Sequence, residues 1–220
     1  MRLLAVSVGQ PQTIGARESG PVQSGIRKTA IAGPVSVGPL GLTGDGQADL
    51  VNHGGVDKAV YAYDRGDAVF WEDRLGRAFP AGAFGENLTV EGRPSDIVRV
   101  GDRYRIGTAL LEVTQPRVPC YKLGIHMGDP GFPAAFARAL RVGYYLRVLE
   151  PGTLAAGDPI AIDRRAETVL SIADLIALYL NGRTDRAGLT AALALPELSA
   201  AWREELSGLL AKAPDRTTTA

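Results

Sequence analysis

The single cysteine of the chain, Cys120, is the residue whose type and surroundings most favour chemistry. It follows Pro119, which suits the first turn of a helix, so the thiol is expected near a helix N-terminus. Arg117 and Lys122 flank it in the sequence. The helix dipole and these two cations favour the thiolate, which is the form required of a nucleophile or of a ligand to a soft metal. Lone cysteines are also common as inert core residues, and the local sequence leaves both interpretations open.

A polar, glycine-rich connection at residues 44–59 is the second candidate. Lys58 stands near its end, just before an apolar segment, where its ammonium could point into the mouth of a cleft. Backbone N–H groups in such a loop can bind an anion. The alternative is a long turn capped by Asp and Asn side chains. The two histidines, His53 and His126, are too few and too far apart in sequence to indicate a multi-histidine metal site.

Two further fragments carry polar side chains beside predicted strands. Residues 24–28 place Arg27 and Lys28 next to each other in a predicted strand, where the two side chains must face opposite sides. Glu86 and Asn87 come directly before another predicted strand and are expected at the rim of a cleft. A solvated turn is the alternative for each fragment. No Walker A, Gly-x-Gly-x-x-Gly or Gly-x-Ser-x-Gly pattern occurs, which disfavours nucleotide-dependent phosphoryl transfer and lipase-type hydrolysis.

Short strands must position these residues, because the first three quarters of the chain are punctuated by glycine and proline. The segments predicted as strands are Leu3–Val8, Ala59–Tyr63, Leu88–Val90, Ile97–Val100, Ala109–Thr114, Tyr144–Leu149 and Pro159–Ile162. Their frequency favours a mainly β fold, an antiparallel barrel or sandwich, over alternating βαβ units. Helices are predicted at residues 64–77 and after residue 129, where Phe132, Phe136 and Leu140 share one packing face.

The pattern changes after about residue 164, where glycine becomes scarce and Leu and Ala recur at helical spacing. We predict a β domain at residues 1–163, a three-helix domain at residues 164–213 and a disordered tail at residues 214–220. The predicted helix N-caps are Ser171, Asp185 and Ser199. Basic and acidic residues are nearly balanced in the helical part, which disfavours a DNA-binding face. We expect it to dock a partner reductase or a second subunit.

Composition excludes several classes of protein. The chain has 220 residues and no formal net charge, with 24 basic and 24 acidic residues, which argues against broad nucleic-acid binding. One cysteine cannot form an intrachain disulfide, a Cys-x-x-Cys redox site or a four-thiolate iron–sulfur cluster. The sequence contains no run of about 18 apolar residues, so no membrane-spanning helix is predicted. The N-terminal apolar stretch is too short for a signal peptide, so a cytoplasmic location is expected.

Six spaced motifs follow one another in an order that is specific as a set. They are Gly38-Pro39-Leu40-Gly41-Leu42 with Gly44-Asp45; Gln47-Ala48-Asp49; His53-Gly54-Gly55 with Asp57-Lys58-Ala59; Gly85-Glu86-Asn87-Leu88; residues 111–117 with Pro119-Cys120; and Arg147-Val148-Leu149. The set resembles the MOSC family, named for the C-terminal domain of molybdenum cofactor sulfurases, and most closely its 6-N-hydroxylaminopurine resistance branch. The helical tail is similar to the three-α appendage of that branch.

The resemblance implies a MOSC-type β-barrel with peripheral helices that binds molybdenum cofactor, a pterin dithiolene with a terminal phosphate. Cys120 would supply a thiolate to the metal, since sulfur is a suitable donor for such a centre. The cations expected to hold the pterin phosphate are Arg27, Lys28, Lys58, Arg117 and Lys122, with His53 and Asn87 as polar rim residues.

The resemblance also implies an activity, the reduction of N-hydroxylated compounds such as purine bases to amines, a detoxification reaction. It would proceed by two-electron oxygen-atom transfer to reduced molybdenum. A separate reductase must supply the electrons, because the chain has no flavin or nicotinamide fingerprint. Where the branch has Gly-Trp-Tyr, this chain has Gly143-Tyr144-Tyr145, so a different substrate is expected if that segment borders the cleft.

Two alternatives remain open at the level of sequence. The chain could be a carrier or binding module in which Cys120 holds the cofactor, or a persulfide, without turnover. It could also use Cys120 as a nucleophile in acyl or thiol chemistry, which would require His53 or His126 as the base.

Overall fold

The computed structural model describes residues 1–49, 54–181 and 184–214, and within these ranges the fold is mainly β. The strands are β1 (Arg2–Val8), β2 (Gln12–Arg17), β3 (Gly20–Ser24), β4 (Thr29–Ala30), β5 (Val35–Gly38), β6 (Gly41–Leu42), β7 (Val60–Asp64), β8 (Leu88–Glu91), β9 (Arg103–Ile106), β10 (Ala109–Pro116), β11 (Tyr144–Glu150), β12 (Gly152–Leu154) and β13 (Ile160–Arg164). The helices are α1 (Arg65–Leu75), α2 (Tyr121–Met127), α3 (Phe132–Arg138), α4 (Ile172–Asn181), α5 (Arg186–Leu193) and α6 (Ala200–Lys212), with a 3-10 turn at Val56–Lys58.

Eight strands form the main sheet, in the order β13-β9-β10-β11-β7-β8-β1-β4. Neighbouring strands are antiparallel except β7 and β8, which are parallel. The ladder is not closed into a continuous barrel. A single bridge between Arg2 and Pro159 links β1 to the residue before β13, and the amide of Leu3 donates to the carbonyl of Asp158 at 2.9 Å. The mainly β prediction is confirmed, and an isolated bridge joins β1 to the residue before β13.

The long apolar runs formed strands because their side chains are covered by the rest of the molecule. All eight residues of β10 are buried, and α4 packs against this strand. Six of the seven predicted strands are confirmed within a few residues. The prediction of a strand at Ile97–Val100 is wrong, because only Arg99 forms a β-bridge, to Ser171, and the Asp102 carboxylate accepts from the Arg99 amide at 3.2 Å in place of a strand ladder.

The predicted strand through residues 24–28 is also wrong beyond its first residue. β3 ends at Ser24, whose hydroxyl accepts a hydrogen bond from the Ile26 amide at 3.2 Å. This local bond takes the amide away from a strand ladder and turns the chain. Arg27 and Lys28 therefore lie in an irregular segment, where strand alternation does not set the direction of their side chains.

An aromatic cluster packs between α1, α3 and the segment before β8. Phe132 and Phe136 on α3 are buried, as predicted, and pack with Trp71 and Phe84 at ring-centroid distances of 4.9–6.4 Å. The helix ends before Leu140, which has a φ of 58° and lies outside it. Of the three residues predicted to share one helix face, only Phe132 and Phe136 lie on α3.

The C-terminal helices begin at the predicted caps. The Ser171 hydroxyl accepts from the Asp174 amide at 3.1 Å while the Asp174 carboxylate accepts from the Ser171 amide at 2.8 Å, which is a reciprocal capping box. Asp185 accepts from Gly188 at 2.8 Å, and Ser199 accepts from Trp202 at 3.2 Å. Of the predicted tail, residues 215–220 lie outside the described residues. No helix in the described part of the chain is long and apolar enough to cross a membrane.

Candidate functional site

A cavity of about 90 Å³ brings together residues that are far apart in the sequence. Its polar and aromatic lining includes Lys28, Asp45, Lys58, Tyr61, Asn87, Arg117, Cys120, Lys122 and Tyr145. Six of these are among the residues that the sequence singled out. They belong to loops and strand ends that precede or follow β7 in the sequence. The cavity therefore combines one thiol with four cationic side chains.

Cys120 is the N-cap residue of α2, which confirms its expected place at the start of a helix. Its backbone is extended, and its carbonyl oxygen accepts from the Leu123 amide at 2.9 Å. The residue is half-buried rather than enclosed in the core. This position leaves the thiol at the wall of the cavity, where a ligand can reach it.

Lys28 and Asp45 form a buried ion pair in the lining of the cavity. Their side chains are 7% and 2% exposed, and the ammonium bonds directly to one carboxylate oxygen. Asp45 also accepts from the Gly9 amide at 2.8 Å. Burial lowers the pKa of Lys28, and the charge and hydrogen bond of Asp45 oppose that shift. The pair places a cation beside the cavity while it fixes the loop that contains Asp45.

Asn87 is a buried clamp rather than a rim residue. Its side-chain amide donates to Asp45 at 2.9 Å and to the carbonyl of Ser7 at 3.2 Å. Its side-chain oxygen accepts from the Tyr61 amide at 3.1 Å. One side chain thus joins β1, β7 and the loop that holds Asp45. The prediction that it lies at the rim is wrong, because these three partners draw it into the interior.

Glu86 is also buried, contrary to the prediction of a rim position. Its carboxylate accepts from the amides of Gly82 and Phe84 at 2.7 and 3.0 Å, and from the Thr89 hydroxyl at 3.0 Å. Burial raises its pKa, and these hydrogen bonds oppose the shift. Glu86 therefore organises the turn at residues 82–86 instead of facing a ligand.

Arg117 lines the cavity, and its guanidinium lies between the rings of Tyr61 and Phe136. It is 7% exposed, donates to the carbonyl of Phe84 and stands 4.7 Å from the ring centroid of Tyr61. Burial opposes its charge, but the neighbouring Tyr61, Tyr145 and Cys120 side chains outweigh burial and raise the pKa of Arg117. The guanidinium is a permanent positive charge of fixed orientation.

Lys58 and Lys122 are half-buried and stand near Cys120 along the same lining. Lys58 ends the 3-10 turn, and Lys122 lies in the first turn of α2. Burial lowers the pKa of Lys58, and the charges of Asp49 and Asp57 oppose the shift. The ammonium of Lys58 can therefore release a proton more readily than that of an exposed lysine.

Arg27 does not line this cavity. It lines a separate depression of about 320 Å³ together with Arg77 and His126, and Lys28 borders both spaces. The imidazole of His126 lies 3.0 Å from the carbonyl of Ala83. His126 thus lines a different space from Cys120, which disfavours it as the base of the nucleophile hypothesis. His53 lies outside the described residues.

The cavity continues into a second space of about 570 Å³ that reaches the C-terminal helices. The two spaces share Asp49, Lys58, Cys120, Lys122 and Tyr145. The residues found only in the second space include Gln115, Tyr121, Tyr179, Trp202, Glu204 and Glu205. We refer to the two spaces together as the cleft.

Residues 49–161 match the MOSC domain, and residues 170–213 match the YiiM-like, 3-alpha helix domain. The chain belongs to the MOSC family. Within it, the MOSC match contains Lys58, Asn87, Arg117, Cys120 and Lys122, whereas Lys28 and Asp45 come from the preceding segment.

This MOSC protein has relatives that match between two thirds and nearly all of its length. YflK of Bacillus subtilis is 35% identical over 201 residues, which are 91% of this chain and 90% of that protein. The crystal structure of YiiM from Geobacillus stearothermophilus superposes with a TM-score of 0.81 at 39% identity, over 95% of this chain and 98% of that one. A Gibberella moniliformis protein named reductase is 35% identical over 153 residues, which are 66% of this chain and 27% of that protein.

Several lining residues of the MOSC cleft were not singled out from the sequence. Asp45 and Tyr145 belong to motifs that were noted, but nothing local indicates that they meet Cys120. Glu204 and Glu205 look like ordinary solvated residues of a helix face. Only the docking of α6 beside Cys120 makes them part of a cleft.

Proposed function

We propose that this chain binds molybdenum cofactor in the cleft and reduces N-hydroxylated compounds to amines, with electrons from a separate reductase. The observation that carries the proposal is the meeting of one thiol, Cys120, with several cations in one cavity. Membership of the MOSC family and the likeness to a protein named reductase support it.

The residues of the cleft fit the chemistry of that cofactor. A thiolate suits a soft metal, and cationic side chains suit a terminal phosphate. Among the described residues, no group of three or more His, Cys, Asp and Glu could hold a metal ion. A metal in this cleft would depend on sulfur donors that the pterin dithiolene brings, with Cys120 as the donor from the protein.

Lys28 and Arg117 are the residues proposed to bind the phosphate. Both are buried charges with fixed neighbours, so little ordering is needed when an anion arrives. Lys58 and Lys122 stand near Cys120 and would assist at the reacting end. His53 and Arg27 remain proposed contributors, although Arg27 lines the neighbouring depression.

The overall reaction is R–NHOH + 2 e⁻ + 2 H⁺ → R–NH₂ + H₂O. The N–O bond breaks, an N–H bond forms, and the oxygen leaves as water. The bound cofactor supplies the two-electron redox chemistry. Lys58, whose pKa burial lowers, would donate a proton at Nζ to the departing oxygen. Tyr145 closes one wall and limits access of bulk water.

Metal and pterin analysis of protein purified from a cofactor-producing host tests this proposal. We expect about one molybdenum and one pterin per chain, and loss of both in Cys120→Ala. Lys212→Ala, a change at the end of α6 outside the cleft lining, is the control and should keep both. Protein that stays free of molybdenum after reconstitution with the cofactor would overturn the proposal.

A carrier that holds the cofactor without turnover is the second candidate. The second space of about 570 Å³ favours an enzyme, because it offers room for a substrate beside the thiol. The two functions differ in one measurement. Cofactor-loaded protein with an artificial electron donor should consume N-hydroxylated substrates if it is an enzyme, and should leave them unchanged if it is a carrier.

The proposal extends to the organisation of the chain. We assign a β domain to residues 1–163 and a helical domain to residues 164–213, with the reaction taking place in the cytoplasm. The electron-donating reductase, or a second copy of the chain, would dock on the helical domain. Limited proteolysis tests the division, since cleavage should concentrate near residue 164 and not within either part.

A further inference from the structure

The depression of about 320 Å³ that contains Arg27 is strongly basic. Arg27, Lys28, Arg77 and His126 line it, and its described lining residues include no Asp or Glu. Both arginines are exposed, and neither forms an ion pair with a carboxylate in the described part of the chain. Two positive charges therefore line one small space without a negative charge to balance them.

Contacts with the protein orient both guanidinium groups. The Arg77 guanidinium lies 4.9 Å from the ring centroid of Phe79 and donates to the carbonyl of Met127 at 3.5 Å. The Arg27 guanidinium donates to the carbonyl of Ile14 at 3.4 Å. Each bond uses one of the five N–H groups of a guanidinium, so both groups keep donors for an anion. Because they are already oriented, they lose little freedom when an oxyanion binds.

His126 reports the electrostatic character of the same space. Burial is the largest cause that lowers the pKa of His126, and the hydrogen bond with the Ala83 carbonyl opposes it. The charges of Arg27, Arg117 and Arg77 lower this pKa further. The cationic groups around the depression therefore act on the imidazole at short range, and an anion among them would reduce their mutual repulsion.

A turn separates the depression from the cavity that contains Cys120. Gly82 lines the depression, whereas Gly85 lines the cavity, and the Gly85 amide donates to the Gly82 carbonyl at 2.9 Å. Lys28 borders both spaces, but its ammonium is bonded to Asp45. An anion in the depression therefore occupies a space of its own and not the end of the cleft.

The size and the walls of the depression define the class of ligand. Its volume of about 320 Å³ is near the lower limit for ligand pockets, which suits a small molecule. Phe79, Pro80, Ala81 and Met127 make the rest of the lining largely apolar. A ligand that matches both parts has a compact group of high negative charge attached to a small organic body.

We propose that this depression binds small phosphate monoesters, with the phosphate held by Arg27 and Arg77 and the organic group against the apolar wall. A phosphate monoester carries nearly two negative charges at neutral pH, and its three terminal oxygens can accept from two guanidinium groups at once. A carboxylate offers one charge and two oxygens, and would engage one arginine fully. This site goes beyond the proposed function and does not depend on it.

Phenyl phosphate and phenyl sulfate are a matched pair of probes, because they share the organic group and differ in charge. At about pH 7.5 the phosphate is a dianion and the sulfate a monoanion. The His126 ring signals in proton NMR report binding at the depression, and a spectrum of His126→Gln identifies them. In protein prepared without cofactor, these signals should move saturably, with phenyl phosphate binding about fivefold or more tightly than phenyl sulfate.

Arg77→Met tests the site without changing the cleft, because Arg77 lines the depression and is not among the described residues of the cleft lining. We expect this change to weaken phenyl phosphate binding about tenfold, and Arg27→Met to have a similar effect. Arg74→Met is the control, since it removes the same charge from an exposed residue of α1 outside the depression lining. It should leave the affinity within about twofold of wild type.

The inference is overturned if the His126 signals do not move up to about 20 mM phenyl phosphate, or if the two probes bind equally well. Equal affinities in Arg77→Met, Arg74→Met and wild type would overturn it as well, because the phosphate would then bind elsewhere. None of these measurements needs molybdenum or turnover. Their failure therefore leaves the proposed function standing, and a chain that never takes up molybdenum leaves this site standing.

Discussion

The carboxylate of Asp57 lies 2.9 Å from the guanidinium of Arg147, and this pair ties the turn that contains Lys58 to the C-terminal helices. Arg147 also donates to the carbonyl of Glu197 at 3.0 Å, just before α6. The other carboxylate oxygen of Asp57 accepts from the Ala200 amide at 3.4 Å. Asp57 and Arg147 therefore both help to fix the position of α6 relative to Lys58.

Arg147→Met should loosen the helical domain. The change removes the bond to Glu197 and leaves Asp57 and the buried Glu112 with fewer partners, so we expect the free energy of unfolding to fall by about 2 kcal/mol. Urea unfolding followed by tryptophan fluorescence measures it. Arg164→Met is the control, because the Arg164 side chain is more exposed than that of Arg147, at 41% against 26%, and losing its ion pair with Glu197 should cost under about 1 kcal/mol. Equal losses in both variants would contradict the prediction.

His126 should make stability depend on pH in one direction. Burial lowers the pKa of His126 from its ordinary 6.5, the Ala83 carbonyl opposes this, and nearby arginines add to the lowering. Between the two pKa values the unfolded chain binds the proton more readily, so stability falls as the pH drops below about 6.5. The stability that this site contributes is fully present above that pH. His126→Gln removes this titration and keeps a donor for Ala83.

Urea unfolding at several values between about pH 7.5 and pH 5 compares the two proteins. The wild-type chain should lose more stability over this range than His126→Gln. Every other titratable group is the same in the two proteins, so their difference isolates the contribution of His126. Parallel curves for the two proteins would show that the surroundings of His126 do not couple its proton to folding.

Asn87→Asp should destabilise the protein strongly. It replaces the donor to Asp45 and to the Ser7 carbonyl with a second carboxylate, in a place where Asn87 is 4% exposed. We expect a loss of about 3 kcal/mol or more in the free energy of unfolding. Chemical denaturation measures it, with the exposed change Asn181→Asp as the control. A value within about 1 kcal/mol of wild type would mean that Asn87 is not the clamp described above.

Gly25→Ala should disturb the cavity through a backbone contact. A Cβ at Gly25 would lie 2.1 Å from the carbonyl oxygen of Gly46, and both residues line the cavity. Because two backbone segments must move apart, we expect a loss of about 1–3 kcal/mol in stability. Gly38→Ala is the control, since a Cβ there meets no atom within 4 Å. Similar thermal melting of the two variants would refute the close approach.

Much of the fold could be predicted because long apolar runs and caps are local signals. β10, buried along its whole length, and the capping box at Ser171 were both visible in the sequence. The short strands β2, β5 and β12 were missed, since they are partly exposed and carry few apolar residues. At residues 97–100 the wrong strand arose because Val98 and Val100 are buried in a turn.

The site was predicted only where a residue and its strand are neighbours in sequence. Cys120 and Lys58 each stand next to a strand end, and both lie in the cleft. Arg27 and Lys28 are adjacent, yet only Lys28 lines the cavity that contains Cys120, and both line the neighbouring depression, because the segment after Ser24 is not a strand. The place of Glu204 and Glu205 in the cleft lining depends on contacts between residues about 140 positions apart, as between Ala200 and Asp57, which no local pattern contains.

Cys120 borders both parts of the cleft, and it is the only thiol of the chain. The rate at which this sulfur is alkylated therefore reports whether the cleft is occupied by a ligand. A molecule held on either side would shield the same atom, so the rate of labelling by iodoacetamide falls whichever part is filled. Ligands of unknown identity can be ranked in this way before any turnover has been observed.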